Sequence, residues 1–292
     1  MKALTLTIDE SMEGRSVESL LARELRVSGT LMRRLKRREE GIALNGERVF
    51  TTARVRAGDV LRVDVSDDPA PRPAPRKADF GILYEDEDVV VIDKPAGMAS
   101  HASTRAPDMP DAEGALAWYL PADVVPHPVS RLDRGTSGAM TFAKSGYVHE
   151  LLRRQLGTGD FYKEYAGICV GTPDPPYGAI DAPTGFAEGS RYKRAVRPDG
   201  VPSRTEYETL ETRNGLSLVR LIPRTGRMHQ LRVHMAHIGC PLAGDWLYGE
   251  ENQALIERPA LHAGYVRFRQ PMTGEVVEAG AGWPQDMEKL FA

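Results

Sequence analysis

The chain has 292 residues, of which 41% are hydrophobic and 27% charged, a composition typical of globular proteins that excludes fibrous and intrinsically disordered classes. It contains no apolar run near the roughly 20 residues that a membrane-spanning helix needs, so no membrane association is expected. The net charge of −3 argues against nucleic-acid binding only as an average, because residues 14–66 hold twelve Lys and Arg against seven Asp and Glu; this segment therefore carries +5 and the remainder about −8.

The first twelve residues include Asp9 and Glu10 and lack both a basic start and an apolar core. They do not predict a signal peptide, so a cytoplasmic location is expected. The two cysteines, Cys169 and Cys240, are too few for a disulfide framework or a cysteine zinc site. We expect both to be small buried residues.

Residues 1–66 are predicted to form a small, basic α/β domain. Apolar residues between Val17 and Leu25 have helical spacing, and Ser28 is typical of the cap of a second helix. The pair Asn45-Gly46 between two short apolar runs predicts a β-hairpin, and a strand is expected at residues 60–63.

Five cations fall within six residues at the second predicted helix, and we expect them to form a wide cationic face for RNA phosphates. The acidic pair Glu39 and Glu40 follows this cluster and does not interleave with it. A solvated helix surface is the alternative. The five residues are Arg33, Arg34, Lys36, Arg37 and Arg38.

Prolines at positions 69, 71, 73 and 75 predict an extended spacer, so we place a linker at residues 67–78 and a second domain at residues 79–292. In this second domain, strands outnumber helices and do not alternate with them. Strands are expected at 89–92, 162–170, 206–210, 216–222 and 261–268, and helices at 145–156, 227–238 and 284–291. This pattern favours an α+β class with a mostly antiparallel sheet.

A carboxylate between two arginines is the first candidate for chemistry. Asp133 lies between Arg131 and Arg134, ahead of a Thr-Ser-Gly turn. Flanking cations stabilise an ionised carboxylate for use as a nucleophile or base. By physics alone, such a string is more often a structural ion-pair node.

Two later segments add polar groups. Lys163 and Tyr165 share one face of the predicted strand at 162–170. Thr225-Gly226 precedes a predicted helix that carries Arg227, Gln230 and Arg232, an unusually polar opening for a structural helix.

Four ordered motifs between about Phe80 and Ala279 resemble the RluA family of pseudouridine synthases: DKPAG, RLDRGTSG, KEY and TGRMHQLRVHMAHIGCPLAGDWLYG. The layout of residues 14–65 resembles the RNA-binding domain named after small-subunit ribosomal protein four. This resemblance implies a pseudouridine synthase fold preceded by that domain, and an enzyme that isomerises uridines in structured RNA without a cofactor or metal.

The resemblance assigns Asp133 as the catalytic aspartate, Tyr165 as the tyrosine that stacks on the target base, and Arg232 as the partner of the aspartate. Arg131, Arg134 and Arg227 are expected to contact RNA. Ribosomal RNA is the favoured substrate over transfer RNA, and no obligate protein partner is implied. Attack on the anomeric carbon and removal of a ribose proton both stay open as the first step.

Two other functions are considered. The family commonly has histidine where this chain has Ser130, and an acidic residue where it has Gly135, so an inactive RNA-binding protein is one alternative. A metal hydrolase is the other, because His229, His234 and His237 are frequent ligand types. At about 100° per residue the first two lie roughly 140° apart on a helix, so the histidines are not expected to converge.

Overall fold

The computed structural model describes residues 3–67, 72–102, 106, 109–249 and 255–292. The chain divides into two compact units, the first made of residues 1–72 and 145–151 and the second of residues 73–144 and 152–292. Part of the predicted proline linker, residues 68–71, lies outside the described residues. Within the described ranges, no helix is both long enough and apolar enough to cross a membrane.

The first unit contains a four-stranded antiparallel sheet in the order β1-β4-β2-β3 and two short helices. Its elements are β1 (Ala3–Thr7), a 3₁₀ turn (Glu10–Met12), α1 (Val17–Arg23), α2 (Gly29–Leu35), β2 (Ile42–Leu44), β3 (Glu47–Arg48) and β4 (Val60–Asp64).

Local sequence explains these elements. The Ser28 side chain accepts a hydrogen bond from the backbone N–H of Leu31, which caps α2 as predicted. Asn45 and Gly46 both have positive φ, which a two-residue β-hairpin turn requires. Apolar side chains on one face of each helix, together with Leu61 and Val63 of β4, are fully or almost fully buried, and they form the core of this unit.

The second unit is built on a sheet in the order β10-β13-β14-β9-β15-β8-β6-β5, with β16 paired to β15 and β7 to β8. Its strands are β5 (Gly81–Glu85), β6 (Val89–Lys94), β7 (His127–Pro128), β8 (Ser137–Ala143), β9 (Tyr162–Val170), β10 (Tyr177–Asp181), β13 (Arg204–Arg213), β14 (Leu216–Pro223), β15 (Leu261–Arg269) and β16 (Val276–Gly280). A separate hairpin consists of β11 (Thr184–Phe186) and β12 (Arg194–Val196).

The remaining helices are α3 (Ala112–Tyr119), α4 (Gly146–Thr158), α5 (Gln230–His237) and α6 (Gln285–Phe291). Neighbouring strands are antiparallel throughout the described sheet except for β15 and β8, which run parallel. The predicted α+β class with a mostly antiparallel sheet is therefore confirmed.

Strand β8 positions the loop that carries Asp133. All seven of its residues are buried, and it lies between β6 and β15. Gly138 has φ +106°, and a Cβ atom there would lie 2.3 Å from the carbonyl oxygen of Ala263. Gly138, which the sequence placed in a turn, is the second residue of β8, and glycine is required there by the close approach of β15.

Gly138→Ala is expected to destabilise the protein by about 3 kcal/mol or more, because alanine meets both an unfavourable φ and a backbone clash. The matched control is Gly215→Ala, where φ is +77° but no atom lies within 4 Å of the added carbon. That change should cost about 1 kcal/mol, the conformational part alone. Urea unfolding followed by circular dichroism measures both, and equal losses contradict the steric explanation.

Candidate active site

The Asp133 loop is held by Ser100, which lies three residues beyond the DKPAG motif. The Ser100 hydroxyl donates to the carbonyl oxygen of Leu132 at 2.6 Å, and the backbone N–H of Leu132 donates back to that hydroxyl at 3.1 Å. The backbone N–H of Thr136 donates to the carbonyl oxygen of Asp133 at 3.0 Å. These bonds fix the backbone on both sides of Asp133, whose side chain stays 26% exposed.

Lys94 joins the end of β6 to the same loop. Its side chain is fully buried, and Nζ donates to the carbonyl oxygens of Pro95 at 3.0 Å and Met98 at 2.9 Å, and more weakly to that of Arg134 at 3.5 Å. Burial lowers the pKa of Lys94 to about 7, although the Asp133 charge acts in the opposite direction. The DKPAG motif therefore supports the loop that carries the carboxylate.

Arg232 faces two carboxylates. Its Nε and Nη2 atoms donate to Oδ2 and Oδ1 of Asp245 at 2.7 and 2.6 Å, and its Nη1 lies 3.6 Å from Oδ2 of Asp133. Asp245 is fully buried. The expected ion pair of Arg232 with Asp133 is present, but the short, two-pronged contact is with Asp245, which was not among the predicted site residues.

The electrostatics of Arg232 follow from this arrangement. Burial alone lowers the pKa of Arg232, but its hydrogen bonds to Asp245 and the negative charges of Asp245 and Asp133 outweigh burial and raise it above the ordinary value. Arg232 is therefore a permanent cation. With Asp245 as its buried counterion, it keeps one N–H edge for Asp133.

Tyr165 lies on β9, as predicted, and is 7% exposed. Burial, followed by the negative charge of Asp133, raises the pKa of Tyr165 far above its ordinary value. The phenol therefore stays protonated near neutral pH. Burial also lowers the pKa of the half-buried Lys163 to about 8.

Tyr248 forms a further side of the site. Its hydroxyl accepts a hydrogen bond from the backbone N–H of Arg194 at 2.9 Å and shares another with Nδ1 of His229 at 2.7 Å. The Arg232 guanidinium carbon lies 5.0 Å from the centre of the Tyr248 ring. Burial raises the pKa of Tyr248 to about 12, so its hydroxyl stays protonated near neutral pH.

The predicted helix from residue 227 is wrong at its start, since α5 begins at Gln230. The Gln230 side chain accepts from the Thr225 hydroxyl at 2.7 Å and the Arg227 backbone N–H at 3.0 Å, and it donates to Arg204 O and Thr205 Oγ1. These bonds hold residues 225–229 as a loop. The polar residues expected in the first turn of the helix therefore belong to this loop or hold it in place.

The three histidines of this segment lie in separate environments and do not form one cluster. His229 bonds to Tyr248, His234 is fully buried between Thr205 and the carbonyl oxygen of Ala182, and His237 is exposed. In the described part of the chain, no three His, Cys, Asp or Glu side chains converge as metal ligands do. That the reaction needs no metal stays a prediction.

The arginines expected to contact RNA near Asp133 are exposed. Arg134 Nε donates to Gly97 O at 3.2 Å, and Arg227 Nε donates to Pro202 O at 3.2 Å. Arg131 is also exposed. Among the described residues, the ion pair that Asp133 forms is with Arg232 and not with either flanking arginine. Stabilisation of the carboxylate by Arg131 and Arg134 stays a prediction.

The cationic cluster of the first unit is narrower than expected. Arg33, Lys36 and Arg37 are exposed, with Lys36 Nζ 3.5 Å from Glu18. Arg34 donates to the carbonyl oxygen of Ser66 at 3.1 Å, and Arg38 pairs with Asp64 at 3.0 Å. The expectation that all five form one face is therefore wrong for Arg34 and Arg38, which are half-buried.

The structure explains why glycine, and not an acidic residue, stands at position 135. A Cβ atom there would lie 3.1 Å from Cδ of Pro259, and the Gly135 carbonyl oxygen accepts a hydrogen bond from Arg258 at 3.1 Å. An acidic side chain at this position has little room. The departure from the family pattern at Gly135 therefore accompanies a close approach of residues 258–259, and it leaves Asp133, Tyr165 and Arg232 in place.

Comparison with known proteins identifies the family. A family model described as RNA pseudouridylate synthase matches residues 88–237. The "Uncharacterized RNA pseudouridine synthase YhcT" of Bacillus subtilis (strain 168) is 33% identical over 99% of this chain and 96% of its own length. The "Ribosomal large subunit pseudouridine synthase D" of Vibrio cholerae serotype O1 (strain ATCC 39315 / El Tor Inaba N16961) is 34% identical over 98% of this chain and 93% of its own.

A solved structure has the same fold. "Human RNA Pseudouridylate Synthase Domain Containing 1" superposes with a TM-score of 0.58 and 26% identity, covering 70% of this chain and 84% of its own. The relatives match this chain over nearly its whole length, and the family model includes Asp133, Tyr165 and Arg232. The chain belongs to the RNA pseudouridine synthases of the RluA type.

Proposed function

We propose that Asp133 starts the isomerisation of uridine to pseudouridine, with large-subunit ribosomal RNA as the substrate. The observation that carries the catalytic assignment is the geometry of one cluster. A partly exposed carboxylate lies 3.6 Å from an arginine whose other N–H groups are bound by the fully buried Asp245.

This cluster suits the chemistry. Asp245 balances the charge of Arg232 and fixes its orientation, so Arg232 attracts and orients the Asp133 carboxylate without closing on it. The carboxylate keeps access to substrate, because an arginine that bound it in a two-pronged pair would occupy both oxygens. Asp133 then attacks the anomeric carbon or removes a ribose proton, and the carbon–nitrogen glycosidic bond breaks.

The freed uracil must turn before carbon 5 bonds to the anomeric carbon. This bond displaces the Asp133 carboxylate on the first route, or forms as Asp133 returns the ribose proton on the second. Carbon 5 then loses its proton, and nitrogen 1 gains one. Burial, followed by the negative charge of Asp133, raises the pKa of the Tyr165 phenol, which is therefore protonated near neutral pH. We propose that its ring face holds the uracil plane during this turn. Its high pKa argues against a free phenolate as the base that removes the proton.

The target uridine must leave its stack to reach a carboxylate held in a loop. Such flipping costs a few kcal/mol and is easiest in loops and distorted helices of RNA. We propose that the exposed Arg131, Arg134 and Arg227 bind the phosphates around the flipped nucleotide. Contacts to phosphate position the RNA but carry no sequence information.

The choice of ribosomal RNA is supported by the names of several relatives, among them the Vibrio cholerae protein. We propose that the enzyme meets this RNA in the cytoplasm. Pseudouridine mapping of ribosomal and transfer RNA from cells with and without the gene tests the substrate. A site lost from large-subunit RNA is expected, and a loss confined to transfer RNA contradicts the proposal.

The first unit is proposed to supply RNA affinity through Arg33, Lys36 and Arg37. Changing all three to alanine should reduce the log–log salt slope of RNA binding by about 2.1 to 2.7, at about 0.7 to 0.9 for each lost phosphate contact. Filter binding at salt concentrations between about 50 and 200 mM measures this slope. The matched control changes three exposed arginines of the second unit, Arg213, Arg267 and Arg269. An equal effect there contradicts a specific role for the cluster.

A further inference from the structure

The β11–β12 hairpin lies beside the active site, and no role has been assigned to it. Residues 187–193 form the loop between its strands. This loop places Arg191, Tyr192 and Lys193 in a row at its end, all exposed, and Tyr192 is 63% exposed. An exposed aromatic side chain between two cations is typical of sites that bind unpaired nucleic acid, because the ring stacks on a base and the cations bind phosphates.

The base of the hairpin is fastened to the site. Arg194, the first residue of β12, donates its backbone N–H to the Tyr248 hydroxyl at 2.9 Å, and its guanidinium lies 3.6 Å from the centre of the Phe186 ring. An Arg194 guanidinium N–H also points to the Met228 sulfur at 3.8 Å. The hairpin is therefore bonded both to the loop before α5, through Met228, and to the segment that carries Asp245, through Tyr248.

Tyr248 links this hairpin to the reacting group. Its ring centre lies 5.0 Å from the Arg232 guanidinium and 5.9 Å from Nζ of Lys193. Arg232 in turn lies 3.6 Å from the Asp133 carboxylate. Lys193, the last residue of the loop, is thus separated from the cluster by one side chain, that of Tyr248.

The end of the loop is ordered, and within the described residues Arg191 and Lys193 form no ion pair. The Ser190 hydroxyl accepts hydrogen bonds from the backbone N–H groups of Tyr192 at 3.3 Å and Lys193 at 2.8 Å. Arg197, the residue that follows β12, is by contrast bound by both oxygens of Asp199 at 2.8 and 2.9 Å. The cations available to a ligand are therefore those next to Tyr192.

We infer that this hairpin is a substrate-selecting contact, in which Tyr192 stacks on an unpaired base beside the target uridine while Arg191 and Lys193 bind the adjoining phosphates. The inference rests on the proposed site, because the stacked base is a neighbour of the nucleotide that Asp133 attacks. Stacking is tolerant of base identity, so the hairpin selects for an unpaired neighbour and not for one sequence.

The test uses the full chain and a transcript of large-subunit ribosomal RNA labelled with tritium at uracil carbon 5. For Tyr192→Ala we expect KM to rise about tenfold or more while kcat changes less than about twofold, because the stacked base is lost but the chemistry is untouched. Tyr192→Phe should stay within about twofold of the wild type, since the ring is kept. Changing Arg191 and Lys193 to alanine should lower the salt slope by about 1.4 to 1.8.

The matched control is Tyr177→Ala, because Tyr177 is 71% exposed at the start of the edge strand β10. The inference is overturned if Tyr192→Ala has the same KM as this control, or if kcat falls with KM unchanged. If the wild type releases no tritium from this transcript, the proposed substrate is wrong. The ratio of the dissociation constants of Tyr192→Ala and Tyr177→Ala on the RNA that pseudouridine mapping identifies then decides, with a ratio near one overturning the inference.

Discussion

Asp133→Asn is expected to lower the rate of uridine isomerisation by at least about 10⁴-fold, as the loss of a group that begins covalent or proton-transfer chemistry does. Asparagine keeps the size of the side chain and most of its hydrogen bonding. It lacks the negative charge that either proposed first step needs. Tritium release from uracil carbon 5 under single-turnover conditions measures the loss.

RNA affinity should be unchanged in Asp133→Asn, because the cationic side chains proposed to bind phosphate are retained. The matched control is Asp123→Asn, an exposed aspartate of the same unit, which should retain full activity. If a clean Asp133→Asn preparation forms product at more than a trace of the wild-type rate, the assignment is contradicted and a different side chain begins the reaction.

Arg232→Met is expected to reduce both activity and stability. Its loss leaves the fully buried Asp245 without its guanidinium partner, which should cost about 3–5 kcal/mol of unfolding free energy. It also removes the cation that orients Asp133, so turnover should fall by about 10²- to 10³-fold with little change in RNA affinity. Urea unfolding and tritium release measure the two effects.

A double variant separates these roles. Adding Asp245→Asn to Arg232→Met removes the unpaired buried charge, so stability should partly return while activity should not. If activity returns with stability, Arg232 acts only as the structural partner of Asp245. If RNA affinity alone falls in Arg232→Met, Arg232 is instead a phosphate ligand.

Sequence patterns predicted the regular elements well where local signals were strong. The predicted strand at 162–170 is β9 residue for residue, and Ser28 caps α2. The prediction missed α3, whose buried residues include three alanines and a glycine on a helix of eight. Such a helix shows no contrast between an apolar and a polar face, so periodicity cannot reveal it.

The active site was predicted only in part. Asp133, Tyr165 and Arg232 came from motifs, but the main partner of Arg232 is Asp245, which lies 13 residues away in a loop. The GDWLYG motif contained both Asp245 and Tyr248, yet their bonding partners are set by tertiary structure. Likewise, Gln230 uses its side chain to hold residues 225–229 as a loop, which no helical spacing could foretell.

The charge pattern of the first unit predicted that the cluster is cationic, but it did not predict which of its side chains are exposed. Arg34 and Arg38 belong to the run of cations, but each is bound to an acceptor within residues 64–66. Helical spacing places neighbours around an axis and says nothing about which acceptors lie beside them. The exposed Tyr192 was missed for a related reason, since the hairpin is brought beside the site by Tyr248.

The most direct test of the proposed catalytic role counts two products in one reaction. Ribosomal RNA labelled with tritium at uracil carbon 5 is incubated with the wild type or with Asp133→Asn, and released tritium is compared with pseudouridine recovered after digestion of the RNA. We predict that the two rise together, one to one, for the wild type and that neither rises for Asp133→Asn. One-to-one product formation by Asp133→Asn at the wild-type rate would contradict the central role of this carboxylate.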